Sequence, residues 1–388
     1  MKKFDCLIIG GGMVGAATAL SLAQLGLNIA IVEKHSPKAF SSEQALDLRV
    51  SAISLASQHL LEQLFAWQQI RDWRFCPYQR LAVWEQDYAY TEFSAQEISQ
   101  THLGHIIENR LIQLSLWQQI EQENNITLFC PETLVGFEQT SEHVNVQLSE
   151  QSIQAKLLIA ADGANSQVRK LASIGITGWD YQQAAMLINV KTQLPQQDIT
   201  WQQFFPTGPV AMLPMPGNNA SLVWYHQNDE INRLVNLSNQ QLTNEIQQNF
   251  PKRLGEISVV DKASFPLTRR HANEYFKQRV VLIGDAAHTI NPLAGQGVNL
   301  GFKDVKALRD VIAKAIADGQ SWHTTAVFAK YEKQRRADNL LMMSTMDLLY
   351  QGFSHPSKLV KGIRNLALFG TNKIPYLKNK ALAYACGV

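Results

Sequence analysis

The sequence predicts an α/β fold of two domains: a Rossmann-like domain assembled from separate stretches of chain, a second, mainly antiparallel β-sheet domain, and helices at the C-terminal end. Three observations predict it. Phe4 to Ile9 is a short apolar run that stops at three glycines, and an Ala- and Leu-rich stretch from Val14 to Leu25 precedes a second apolar run from Asn28 to Glu33. That order is a buried parallel strand, a helix and a second strand. Between Trp179 and Phe265 the texture changes to strand-like runs, Ala184 to Lys191, Val210 to Leu213 and Ala220 to Tyr225, set between Pro and Gly turns. From Arg279 to Gly284 the buried-strand pattern returns, and Gln296 to Ala317 reads as a long helix, so the first domain resumes after the second.

The chain has 388 residues, beyond the size at which one hydrophobic core usually stops growing. The expected boundaries are 1–75, 103–178 and 270–340 for the first domain, 76–102 and 179–269 for the second, and 341–388 for a helical end segment. Around Asn109 to Glu123, Leu111, Ile112, Leu116 and Ile120 recur at helical spacing, and Ala155 to Ala161 is a further buried strand that ends at Asp162-Gly163.

A hydrophobic content of 46% against 18% charged residues excludes a disordered chain. Cys6, Cys76, Cys130 and Cys386 stand far apart without a C-x-x-C pair, which argues against a zinc site, a redox motif or a disulfide framework. No His, Cys and carboxylate combination has metal-ligand spacing, and no metal is expected. The apolar stretch after Met1-Lys2-Lys3 is too short for an export signal, and no apolar run reaches the roughly 20 residues of a membrane span, so a cytoplasmic location is expected. Net charge is +2, yet residues 348–388 hold six Lys or Arg and no Asp or Glu. The basic character is local and does not describe a nucleic-acid surface.

Gly10-Gly11-Gly12-Met13-Val14-Gly15 satisfies G-x-G-x-x-G between a strand and a helix, where bare backbone approaches a pyrophosphate at a helix N-terminus. Glu33 ends the second strand 18 residues after Gly15, in place to accept hydrogen bonds from a ribose diol. NAD and FAD both contain an ADP half, so this motif alone leaves the cofactor open. Gly284-Asp285 closes a buried strand late in the chain and runs into Asn291-Pro292-Leu293-Ala294-Gly295-Gln296-Gly297-Val298-Asn299. Asp285 suits a ribitol hydroxyl, Gly295 and Gly297 admit a flat ring, and the following helix aims its positive end at a flavin's pyrimidine edge. Flavin is favoured over nicotinamide.

These two segments, with Ala161-Asp162-Gly163-Ala164-Asn165-Ser166 and Arg169 between them, resemble those of the single-component aromatic flavin monooxygenases. The run Pro292 to Gly301 followed by Asp304 narrows the resemblance to the ubiquinone-biosynthesis hydroxylases over essentially the whole chain. Thr200 to Phe204, Ser221 to Tyr225, Phe265 to His271 and Met346 to Leu348 are similar to the branch acting on a polyprenylated methoxy-benzoquinol. Where many members carry His before the hallmark proline, this chain has Asn291.

The resemblance implies FAD as cofactor and NAD(P)H as co-substrate. It assigns cofactor contacts to Gly10, Gly12, Met13, Val14, Gly15, Glu33, Arg49, Arg110, Asp162, Gly163, Gly284, Asp285, Pro292, Gly295, Gln296, Gly297, Val298 and Asn299. It also implies ring hydroxylation through a flavin C4a-hydroperoxide, with no side chain assigned as nucleophile or base; the alternatives are another prenylphenol hydroxylation of the same pathway, or a flavin dehydrogenase or oxidase without oxygen insertion. Water must be excluded, so Phe204, Leu213 and Trp224, with Pro292, are the expected wall of a substrate cavity, although strand alternation buries the same residue types in any core. His288 is expected to hold its loop rather than act as a base, and His226 receives no role. In the tail, Leu359, Ile363 and Leu366 at helical spacing alternate with Lys358, Lys361 and Arg364. This is either an amphipathic helix on the inner membrane surface or a last helix packed on the body or on a biosynthetic partner.

Overall fold

The computed structural model describes residues 2–290 and 297–354 and, beyond these, 357, 361–362, 364–365, 370 and 375–387. Five strands, Val280–Leu282, Ser152–Ala160, Lys2–Ile9, Ile29–Val32 and Ile126–Phe129, lie side by side in that order, all parallel. Phe276–Lys277 extends one edge antiparallel, and the hairpin Leu134–Gln139 and Val144–Leu148 attaches to Ser152–Ala160. Cys6, Leu7 and Ile8 have no exposed surface, because helices cover both faces of a parallel sheet. Leu158 pairs with Leu7 on one side and Val280 on the other, so the start, middle and late parts of the chain meet in one sheet.

The second sheet has eight strands in the order His288–Thr289, Ile257–Ala272, Ile176–Thr192, Asn219–Gln227, Val210–Met215, Ile199–Gln203, Arg80–Trp84 and Thr91–Ser94. Every pair is antiparallel except Ile199–Gln203 with Arg80–Trp84. Alternation gives it two unlike faces. Met186, Ile188, Leu222 and Trp224 pack with Ile231, Leu234, Leu242 and Ile246 of the helices Asn228–Val235 and Asn239–Asn249. Leu187, Ala211, Val223 and Tyr225 face the opposite way, toward the first domain. A small third sheet, Val50–Ser54, Gly104–Glu108 and Cys76–Tyr78, lies between. The chain therefore enters the second sheet at Arg80, after pairing Cys76–Tyr78 in the small one.

The helices Gly297–Ala317, Thr325–Ser354 and Pro375–Cys386 complete the described chain. Among the described residues no helix is long and apolar enough to cross a membrane.

Candidate active site

The first glycine motif is built by contact, not by freedom alone. A Cβ on Gly15 would stand 1.9 Å from Gly10 O, so only glycine lets the helix Met13–Ala23 start directly over the strand end. Gly10 has φ +103, and a Cβ there would lie 2.4 Å from Ala161 O. Gly12 is different: a Cβ on it would meet nothing within 4 Å, which leaves the helix N-terminus open to a ligand. Glu33 Oε2 accepts the Gly11 N–H at 2.7 Å, and Oε1 accepts the N–H groups of Lys34 and His35. Gly11 O in turn receives Trp117 Nε1 and Gln113 Nε2 at 2.7 and 2.9 Å, so the loop is braced by the helix Asn109–Ile120.

Val14 joins this motif to the late one. Cβ atoms placed on Gly284 and Gly301 would lie 3.3 and 2.6 Å from its methyl groups, so one valine fills the space between the two glycines. From the middle motif, Arg169 is buried and donates to Ala286 O at 2.8 Å and Ala164 O at 3.0 Å. Asp162 Oδ2 accepts the N–H groups of Gln167 and Val168 at 2.7 and 3.1 Å, while Oδ1 is sealed without a partner among the described residues. Gly163, with φ +78, has open space around it.

Asp285 opens into a cavity of about 510 Å³ lined by the second sheet and the small third sheet. Its carboxylate is sunk deep in protein yet exposed to that space, and burial pushes it up while Arg49 draws it down. Arg49 and Asn109 line the same end. Leu187, Ala211, Leu213, Val223, Tyr225 and Phe265 form the wall on the second sheet. Phe204 also lines the cavity and stacks on Phe353 with ring centroids 3.8 Å apart. Trp224 does not reach the cavity. It sits on the other face of its strand, edge-on to Phe250 at 5.2 Å, and its neighbours Val223 and Tyr225 take the wall position expected of it.

Besides Glu33, whose two oxygens accept backbone N–H groups, Asn299 and Arg110 have side chains committed within the protein. Asn299 Oδ1 accepts from Ser54 N and Ser57 Oγ at 3.0 and 2.7 Å, and its Nδ2 donates to Ala52 O at 2.8 Å. It clasps the strand Val50–Ser54 to the helix Gly297–Ala317. Arg110 pairs with Asp47 at 2.8 Å and donates to Lys38 O and Ala39 O, fastening the loop that leads to Arg49. Met13 packs partly buried against the core and Val298 likewise, at the starts of their helices. Pro292, Gly295 and Gln296 lie outside the described residues, as do Lys358, Leu359, Ile363 and Leu366 of the tail. His288 Nε2 lies 2.5 Å from Asp304 Oδ2 and both are buried, a holding contact rather than a group facing the cavity.

Strand alternation alone did not single out Tyr225, because either face of the run Ser221–Tyr225 is apolar enough to be buried. The signal lies in the helices after it, which claim the face of Leu222 and Trp224. The open Gly12, the open Gly163 and the cavity-facing Asp285, held in one rigid frame, fit an extended dinucleotide ending in a flat ring.

Residues 3–343 match the model of the FAD-binding domain family. Over 385 residues the chain is 45% identical to the 3-demethoxyubiquinol 3-hydroxylase of Escherichia coli K12, covering 99% of this chain and 98% of that enzyme. This chain belongs to the FAD-binding ubiquinone-biosynthesis hydroxylases. A mitochondrial ubiquinone biosynthesis monooxygenase of Danio rerio is 32% identical over 435 residues, covering 99% and 90%. The crystal structure of p-nitrophenol 4-monooxygenase from Pseudomonas putida superposes with a TM-score of 0.81 at 19% identity, covering 98% and 97%, which shows the shared fold. The hydroxylase is thus an FAD-dependent monooxygenase, with NAD(P)H the reductant typical of the family.

Proposed function

We propose that this hydroxylase inserts one atom of molecular oxygen into the ring of a prenylated methoxy-benzoquinol in ubiquinone biosynthesis. The observation that carries the reading is the shared cavity: its one end is Asp285 and Arg49 of the flavin-motif domain, and its wall is the apolar face of the second sheet. FAD, when bound, supplies the reduction by NAD(P)H and the activation of oxygen. The chain supplies binding, orientation and dryness. Gly10, Gly12, Met13, Val14 and Gly15 leave backbone open to the pyrophosphate, Glu33 stands at the ribose, and Asp162, Gly163, Gly284 and Asp285 serve the remaining length of the cofactor. Gly297, Val298 and the Asn299 backbone present a helix N-terminus to the ring, where negative charge develops on reduction. Leu187, Leu213, Val223 and Phe204 exclude water from the reacting edge, which suppresses loss of the activated oxygen as peroxide.

Tyr225 orients the substrate. Its hydroxyl has no hydrogen-bond partner among the described residues, and burial raises the phenol well above its usual range, so it stays a neutral donor. It shares a buried apolar cluster with Ile290, just before the hallmark run, and Leu300, within it.

The same proposal puts the enzyme in the cytoplasm against the inner membrane face, where such a substrate dissolves, in weak contact with the surface or with a biosynthetic partner. In the tail, Arg364 pairs with Glu85 and Lys378 with Glu97 at 2.7 Å, so attraction to anionic lipid rests on the remaining lysines. Deleting the gene and identifying the accumulated quinone precursor tests the step. Accumulation of the demethoxy-type benzoquinol supports it, and accumulation of an earlier prenylphenol moves the enzyme to another hydroxylation. Labelled oxygen gas that fails to enter the product would exclude hydroxylation altogether.

A further inference from the structure

The cavity has two ends of unlike chemistry. Among its described lining residues, those exposed are Arg49, Asp285 and Ala385. Arg49 and Asp285 belong to the flavin end, and Ala385 is the exposed lining residue away from it. It lies on the helix Pro375–Cys386, where Leu382, Ala385 and Cys386 fall at the i, i+3, i+4 spacing of one face and all line the cavity. Leu382 and Cys386 are buried with Leu55, Ala95 and Leu103, and Tyr78 and Leu81 pack against that cluster. No charged side chain lines this end, in contrast to the other.

The helix is fixed in place rather than resting loosely. Lys378 Nζ pairs with Glu97 Oε1 at 2.7 Å, Tyr384 OH donates to Asp338 Oδ1 at 2.7 Å, and the Cys386 thiol points to Leu103 O at 3.6 Å. Gly387 follows with φ +76, and a Cβ there would stand 2.5 Å from Ala56 Cβ. A wall held at both ends and bare of polar groups on its inner face suits a flexible hydrocarbon, not a second polar ligand.

We infer that the first isoprene units of the substrate's tail lie against Leu382, Ala385 and Cys386, and that the chain leaves the protein past Ala385. The inference rests on the prenylated-quinol reading above. A cavity of about 510 Å³ is the size of a site for one drug-sized ligand, so it takes the ring and the start of a tail and must release the rest. FAD, when bound at Arg49 and Asp285, would close the flavin end to the tail. Ala385 is the other exposed position of the described lining, and the tail passes it on the way out.

The test compares two substrates on the holoenzyme: the methoxy-benzoquinol ring carrying two isoprene units, and the same ring carrying a methyl group in their place. In Ala385→Trp the ratio of kcat/KM for the prenylated over the methyl substrate should fall by roughly tenfold or more relative to the unsubstituted enzyme, because several methylenes lose their apolar wall. Ala385→Leu should give a smaller fall in the same ratio, and it serves as the reading variant if the tryptophan reduces flavin content. An unchanged ratio, or an equal fall for both substrates, would overturn the inference. If the unsubstituted enzyme hydroxylates neither ring, the failure belongs to the proposed reaction and not to the tail site.

Discussion

Asp304 holds His288 Nε2 at 2.5 Å from its own Oδ2, with both side chains sealed from water. The same carboxylate accepts the Gly284 N–H at 2.9 Å and Arg335 Nε at 2.7 Å. One buried anion therefore fixes the turn that presents Asp285 and, through Arg335 and Asp338, reaches the Tyr384 hydroxyl on the C-terminal helix. Burial by itself would raise the Asp304 carboxyl, but His288 and Arg335 outweigh it and hold it below the usual carboxylate range.

Removing that anion leaves a buried guanidinium without its main counter-charge. Asp304→Ala should destabilise the protein by about 3–5 kcal/mol, the usual cost of breaking rather than replacing a buried pair. Urea unfolding of variant and parent measures it. A loss below about 1 kcal/mol would mean that the network adds little to the frame.

The two glycines of the first motif should separate folding from cofactor binding. Gly15→Ala drives a Cβ into Gly10 O at 1.9 Å and should disrupt the strand–helix junction itself. Gly12→Ala meets no protein atom within 4 Å, so the apoprotein should remain as stable as the parent. Its FAD affinity should nevertheless fall on the order of tenfold to a hundredfold, the equivalent of one or two charge-assisted contacts at the pyrophosphate. Flavin titration of the two apoproteins, beside their thermal unfolding, checks both halves. Unaltered affinity in Gly12→Ala would remove the helix N-terminus from the cofactor site.

Much of the frame was legible because it depends on short-range patterns. Phe4 to Gly15 encodes strand, turn and helix through apolar period and glycine placement, and Gly284-Asp285 does so again. The return of the late segment beside Ser152–Ala160 was readable as a resumed pattern, though its register was not. What could not be read depends on which neighbour arrives at a given face. Trp224 and Tyr225 differ by one residue on one strand, and the helices of residues 228–249 decide which is turned to the cavity. Cys386 and Leu382 stand some three hundred residues from Leu81 and Tyr78 in sequence, and only long-range packing brings them to one wall. Arg364, left open between a membrane-facing helix and one packed on the body, is held by Glu85.

Membrane attraction should accordingly be weaker than six cations imply. Each exposed Lys near an anionic surface adds on the order of 1 kcal/mol, and the pairs with Glu85 and Glu97 withdraw two of the six. Flotation with anionic liposomes should be partial at low salt and absent at high salt. Indifference to anionic liposomes even at low salt would rule out the surface contact.

Acid should weaken the fold through His105. It is 3% exposed, packed between Trp67 at 4.9 Å and Phe75 at 5.1 Å, and burial, reinforced by His102, lowers its pKa to about 3. The unfolded chain protonates near 6.5, so as pH falls it binds a proton that the folded state refuses. Stability present above about pH 6.5 is lost progressively toward pH 3, about 2 kcal/mol of it by pH 5. His105→Phe should flatten the pH dependence of urea unfolding over that window. An equally steep profile in the variant would assign the acid sensitivity to other groups, His271 among them, which is held at about 4 mainly by burial.

The most direct test of the active site is Tyr225→Phe. The hydroxyl has no hydrogen-bond partner among the described residues, so its removal should leave flavin content and unfolding temperature unchanged, which separates a substrate role from a structural one. If the phenol donates to a ring hydroxyl of the quinol, losing it forfeits one hydrogen bond made in a dry site, roughly 1–3 kcal/mol, or about tenfold to a hundredfold in kcat/KM. Orientation should suffer along with affinity. A ring free to rotate presents the wrong carbon for part of the time, so a larger share of NAD(P)H oxidation should end in hydrogen peroxide rather than hydroxylated product. Measuring product formed per NAD(P)H consumed reads that share independently of binding. Because burial keeps the phenol protonated across the working range, the parent and variant should share one pH profile below about pH 9 and differ only in height. Unchanged kcat/KM together with unchanged coupling would show that the hydroxyl meets no substrate, and the ring would then be held by other polar groups of the lining, such as Gln202 or Thr200.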